Sequence, residues 1–121
     1  MPYAGVSPLG EKGPCMLYEL RVYEILPGRM GAMTARLGKA IEVFRKHGFD
    51  VAGVWTETVG RNDRLVYITV FQDMGDRETK WSAFVGDPEW HKIRVESERD
   101  GPIVARVINS FMTPTSYSPL G

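Results

Sequence analysis

Leu17-Tyr-Glu-Leu-Arg-Val-Tyr-Glu-Ile-Leu-Pro-Gly28 is the stretch from which the fold can be read. Its period of two is that of a β-strand. Leu17, Glu19, Arg21 and Tyr23 fall on one face, and Tyr18, Leu20, Val22 and Glu24 on the other. Pro27-Gly28 is a turn pair, and the period changes after it. From about Arg29, the residues Met30, Met33, Leu37, Ile41 and Phe44 recur at 3-4-4-3 spacing, which predicts one apolar helical stripe. Arg36, Lys39, Glu42 and Lys46 belong to the opposite side, and Gly48 stands where a helix C-cap is expected after His47.

Outward from this stretch, Val51–Val59 reads as a second strand with Val51, Gly53, Trp55 and Glu57 on one face. A polar turn, Gly60–Arg64, leads to Leu65–Gln72, whose apolar, β-branched and aromatic run predicts a central strand. A helical region follows Met74–Asp76, with Trp81, Phe84 and Val85 on one face and a break at Gly86. Asp87-Pro88-Glu89 restarts it, with an N-cap acid, proline at N1 and a carboxylate in the first turn. Trp90, Ile93 and Ser97 share the side expected to be buried, and Asp100-Gly101-Pro102 ends the segment. Ile103–Met112 is the fourth strand and Thr113–Gly121 a proline-containing tail.

The order β-α-β-β-α-β predicts an α+β, ferredoxin-like antiparallel sheet with strand order 4-1-3-2 and helices on one face. The other face would still present Trp55 and alternate apolar residues of the third and fourth strands. Such a face is expected to be covered by a second copy, giving a homodimer with its sheets packed face to face.

Composition bounds the rest. The 121 residues, 43% hydrophobic and 25% charged, suit one soluble domain, with residues 1–15 an irregular arm and 16–121 the domain. Zero net charge disfavours nucleic acid, and no apolar run approaches the roughly 20 residues of a membrane span. The arm, with three prolines and three glycines, has no apolar core of the signal-peptide kind, and the expected compartment is the cytoplasm. The single Cys15 has no base beside it, and no Cys/His set is spaced for a metal. Ser-Pro-Leu-Gly occurs at Ser7–Gly10 and again at Ser118–Gly121, too short a match to read as a repeat.

Four motifs occur in one order: Tyr18-Glu-Leu-Arg-Val-Tyr23 with Pro27-Gly28, Gly53-Val-Trp55, Asp87-Pro-Glu-Trp90, and Pro114-Thr-Ser-Tyr-Ser-Pro-Leu120. Together they resemble the NIPSNAP family over residues 16–120. The resemblance implies a dimeric α/β-barrel fold. That superfamily includes small monooxygenases, isomerases, haem-degrading enzymes and haem peroxidases, so the fold does not choose a reaction.

Glu19, Arg21 and Tyr23 are the densest functional group. An arginine–carboxylate pair beside a tyrosine hydroxyl can anchor a carboxylate or carbonyl oxygen and move a proton, and it can equally be an ion pair that fixes sheet register. Glu57 is a candidate to join it from the second strand. His91, in the first turn of a helix, is a candidate general base or haem ligand, or simply an exposed helix residue. His47 suits a helix C-terminus. Trp55, Tyr67, Trp81, Phe84 and Trp90 either line a pocket for a flat apolar ligand or fill the core. The expectation is a small, partly apolar metabolite bound between sheet and helices. Arg21 would hold its oxygen, Tyr23 or His91 would handle a proton, and any chemistry would be cofactor-free. The competing expectations are a protein-interaction module without chemistry, acting through the tail or the arm, and a haem-handling protein.

Overall fold

The computed structural model describes residues 16–120. The arm with Cys15 and the first Ser-Pro-Leu-Gly, and Gly121, lie outside the described residues. The elements run β1 (Leu17–Ile25), α1 (Met30–Lys46), β2 (Asp50–Thr56), β3 (Arg64–Phe71), α2 (Met74–Val85), α3 (Pro88–Ser97) and β4 (Val104–Met112). The strands form one antiparallel sheet in the order β2-β3-β1-β4, so β1 and β3 are central, as their sequences predict.

Local chemistry sets the joints. Gly28 (φ 76°) and Gly48 (φ 80°) take the left-handed conformation that a side chain resists, one at the β1–α1 turn and one after α1. Arg29, at the N-cap of α1, donates to the carbonyls of Ser97, Gly101 and Pro102 and so ties the α3–β4 connection to the start of α1. Asp87 caps α3 by accepting from the Glu89 N–H at 2.8 Å. The same carboxylate meets Lys46 Nζ at 2.6 Å and His47 Nε2 at 2.7 Å, which joins the end of α1 to the start of α3. The hydrogen bonds from Lys46 and His47 hold its pKa well below the usual carboxylate range.

The main core lies between the helices and one sheet face. Phe44, Phe49, Phe71 and Phe84 stack or meet edge-on, with Phe44 within 4.5 Å of both Phe49 and Phe84, ring centre to centre. Burial of each such ring is worth roughly 1.5–3 kcal/mol, so this cluster, and not helix propensity, holds α1 and α2 on the sheet. The opposite face carries only a small buried group, Met16, Tyr18 and Val70, with Ala52 and Ile68 packed against it.

Five expectations are corrected. The buried stripe of α1 is Met33, Arg36, Leu37, Ala40, Val43 and Phe44, rotated from the predicted one; Met30 and Ile41 sit at its margin. Arg36, expected on the solvent side, is buried because its guanidinium finds Glu98 at 3.4 Å and donates to the Met33 sulfur at 3.8 Å. A register shift between Val51 and Gly53 lets Val51 pack in the main core while Gly53 and Trp55 sit on the open face, so these three do not share a side. β2 also stops at Thr56, because Glu57 accepts from the Arg61 N–H and pairs with Arg64 to close the turn. Val85, expected beside Trp81 and Phe84, is exposed, since α2 ends there and only Phe84 is fully covered.

Candidate functional site

Strand β1 brings Glu19, Arg21 and Tyr23 together under the helices. Glu19 is fully buried and accepts four hydrogen bonds: one from Arg21 Nη1 at 3.0 Å, two from Arg77 at 3.1 Å each, and one from Asn109 Nδ2 at 3.0 Å. Three of these fall on Oε2 and one on Oε1, so of the roughly four lone-pair positions of a carboxylate only one, on Oε1, is left. Burial pushes its carboxyl up, but the hydrogen bonds from Arg77, Asn109 and Arg21 outweigh this and bring it below the ordinary value. Glu19 is therefore a fixed anion. Glu57, held by Arg64 and the Arg61 N–H, does not join it.

Arg21 serves two groups at once. Its Nη1 binds Glu19, and its Nε donates to the Tyr23 hydroxyl at 3.2 Å. Burial works against its charge, and the oxygens of Tyr67, Tyr23 and Glu19 more than compensate, so the guanidinium stays charged. The guanidinium centre lies 4.7 Å from the centre of the Trp81 ring, and that of Arg77 lies 5.2 Å from it. The Tyr23 hydroxyl in turn lies 3.1 Å from that of Tyr67, with the two rings stacked. Burial, reinforced by Tyr23, raises the pKa of Tyr67 far enough that it remains a neutral hydroxyl.

These groups form one end of a cavity of about 130 Å³ between sheet and helices. Arg21, Tyr23 and Tyr67 line it from the sheet. Arg36 and Phe44 line it from α1, and Trp81, Phe84 and Trp90 from α2 and α3. Arg36 Cζ lies 5.9 Å from the Trp90 ring centre. Two guanidinium groups thus face an aromatic cavity that no acid side chain lines. The indole N–H of Trp81 is buried without a hydrogen-bond partner among the described residues. A wider depression of about 640 Å³ beside the β1–α1 turn has Asp63 as its one charged side chain, and Arg61 already holds that carboxylate at 2.7 Å.

Of the residues singled out from sequence, Arg21, Tyr23, Tyr67, Trp81 and Trp90 line this cavity, and Glu19 lies behind it. Trp55 does not line it. It pairs with Val66, its ring lies over Gly53, and it is 50% exposed. His91 is exposed on α3 and is not among the lining residues. A haem does not fit: the space is far smaller than four pyrrole rings need, and neither histidine lines it. Among the described residues, no group of three or more His, Cys, Asp or Glu is placed to hold a metal ion.

Sequence reasoning missed Arg36, Arg77 and Asn109. For Arg36 there was a signal. It stands three residues after Met33 and four before Ala40, inside the stripe once Ala40 and Val43 are counted with it. Arg77 and Asn109 reach Glu19 across 58 and 90 positions of sequence, and no local pattern announces them.

A sequence model of the NIPSNAP family matches residues 18–119. A NipSnap protein of Caenorhabditis elegans is 26% identical over 110 residues, covering 91% of this chain and 20% of that protein. The chain therefore spans about a fifth of the length of this relative. The crystal structure of a NIPSNAP family protein of unknown function from Agrobacterium tumefaciens superposes with a TM-score of 0.79 at 25% identity, covering 92% of this chain and 98% of that one. An uncharacterized NIPSNAP-like domain protein from Burkholderia xenovorans shares the fold, with a TM-score of 0.77 at 22% identity and coverage of 88% and 91%.

Proposed function

The chain belongs to the NIPSNAP family, and on that footing we propose that it is a cytoplasmic homodimer that binds one small, partly apolar metabolite per subunit. The carrying observation is the pair of guanidinium groups, Arg21 and Arg36, facing an aromatic cavity with no acid in its lining. A charge kept in such a place is costly unless it serves a partner. Glu19 serves Arg21 only in part, through one of its nitrogens. Arg21 would hold an anionic or carbonyl oxygen of the ligand. In any cofactor-free reaction there, Tyr23, hydrogen-bonded to both Arg21 and Tyr67, would handle the proton.

The open sheet face supports the second copy. Trp55, Ile108 and Met112 are exposed on it, beside half-buried Leu20, Val22 and Val66. A continuous apolar patch of this kind marks an association surface.

Native mass spectrometry on gently purified protein tests both parts together. The expected result is a dimer carrying one small molecule per chain, with Arg21→Gln giving an empty dimer. A wild-type protein that is empty and takes up no added small molecule would instead favour an interaction module. Tyr117, 85% exposed on the tail after β4, and Leu120, 46% exposed, give that second reading its support.

A further inference from the structure

The polar end of the cavity is rich in donors and poor in acceptors. The Tyr23 hydroxyl accepts from Arg21 and shares one hydrogen bond with the Tyr67 hydroxyl. Two hydroxyls carry two protons, and the bond between them uses one. The other, on whichever tyrosine carries it, has no acceptor among the described residues. Trp81 adds a buried indole N–H without a partner, although a buried tryptophan usually finds one. Arg21 adds Nη2, which makes no hydrogen bond within the described residues, while Nη1 and Nε are engaged. Three unspent donors thus belong to residues that line this cavity. The acids near these donors are Glu19, which already accepts four hydrogen bonds, and Glu78, which is exposed and pairs with Arg77 at 2.7 Å. At the other wall Arg36 is engaged by Glu98 and by the Met33 sulfur.

A group that satisfies such an end must bring acceptors and no protons of its own. A carboxylate does this, and it meets the Arg21 charge at the same time. The size of the rest follows from the space. The cavity holds about 130 Å³, and an engineered apolar cavity of roughly 150 Å³ holds benzene. Its walls beyond Arg21 are aromatic: Phe84 packs 4.5 Å from Phe44 and 4.7 Å from Trp90, ring centre to centre.

Building on the reading of this cavity as the ligand site, we infer that its ligand is a monocyclic aromatic acid. It binds with its carboxylate at Arg21 and its ring among Phe44, Phe84 and Trp90. The Tyr23–Tyr67 pair supplies a further donor to the carboxylate oxygens.

The test is a charge series on the whole dimer or monomer as purified, by isothermal titration calorimetry: benzene, benzamide, benzoate, benzylammonium and cyclohexanecarboxylate. Benzoate should bind at least about tenfold more tightly than benzamide, the effect of one charge-assisted hydrogen bond, and benzylammonium should not bind. Cyclohexanecarboxylate should bind more weakly than benzoate. In Arg21→Gln the preference for benzoate over benzamide should vanish while benzene binding persists. If benzene binds and benzoate does not, or if benzamide or benzylammonium matches benzoate, the acid is wrong and the cavity reading stands. If cyclohexanecarboxylate matches benzoate, the aromatic ring is wrong. If none of the five binds, the cavity reading itself fails. The wild-type series decides these outcomes even if Arg21→Gln does not fold.

Discussion

The two faces of β1 invert the usual arrangement of a half-covered strand. Under the helices it places Glu19, Arg21 and Tyr23; toward the open side it places Tyr18, Leu20 and Val22. An antiparallel strand covered on one side normally turns its apolar residues in and its polar residues out. Polar residues turned inward are tolerable here because they close on one another, with Glu19 taking donors from β1, α2 and β4. Apolar residues turned outward call for a cover that the described residues of one chain do not provide. The covered face thus stores its specificity in hydrogen bonds, and the open face stores it in area.

The largest effect should come from breaking the closure on the covered face. Glu19→Ala leaves Arg21 and Arg77 without their buried anion and should cost about 3–5 kcal/mol, read as a shift of the urea midpoint. A loss below 1 kcal/mol would mean that the inward polar set does not depend on closure. The pH dependence follows in sign from the same residue. Its native pKa lies below the ordinary value of 4.5, so the unfolded chain takes up the proton first as the solution is acidified. The Glu19 contribution is complete above the unfolded value and is lost as pH falls through the lower native one. Glu19→Gln should flatten this acid limb without abolishing it, because Asp87 is depressed as well.

The open face should respond in association and much less in stability. Ile68 sits half-buried near its centre, paired with Leu20 on one side and Gly53 on the other. Ile68→Lys would place an ammonium between two apolar sheets and should weaken the proposed dimer by about 100-fold or more, measured by sedimentation equilibrium. An unchanged mass would remove this face from the interface and leave its apolar residues to be covered by something else.

How far the sequence could be read follows the same division. Most of the periodic signal was legible: the alternation of β1, the central place of Leu65–Gln72, the Asp87-Pro88 helix start and hence the sheet order, while the apolar stripe of α1 lies rotated from its predicted place. These are local patterns repeated over several residues. The candidate site was legible along β1 and at Tyr67, Trp81 and Trp90, because a strand fixes which side chains share a face. Partners from distant elements were not legible, since Arg77 and Asn109 look like ordinary surface residues until the fold brings them to Glu19. Nor was the shift in β2 that parts Val51 from Gly53 and Trp55, because one extra residue turns every later side chain over.

The smallest predicted effect separates saturation from mere crowding on the covered face. Thr69 stands directly opposite Glu19 in the β1–β3 register, and both residues are fully buried. Its hydroxyl has no hydrogen-bond partner among the described residues. Glu19 Oε1 takes a single donor, from Arg77, and the Thr69 hydroxyl does not bond to it. Thr69→Val removes the idle hydroxyl at nearly constant shape, and relief of an unsatisfied buried group is worth about 1 kcal/mol. The variant should therefore melt at a higher temperature than the wild type. A clear loss of stability would mean that the Thr69 hydroxyl does bond in solution. The four bonds to Glu19 would then not be its full set, and the anion behind Arg21 would be open to exchange with a ligand.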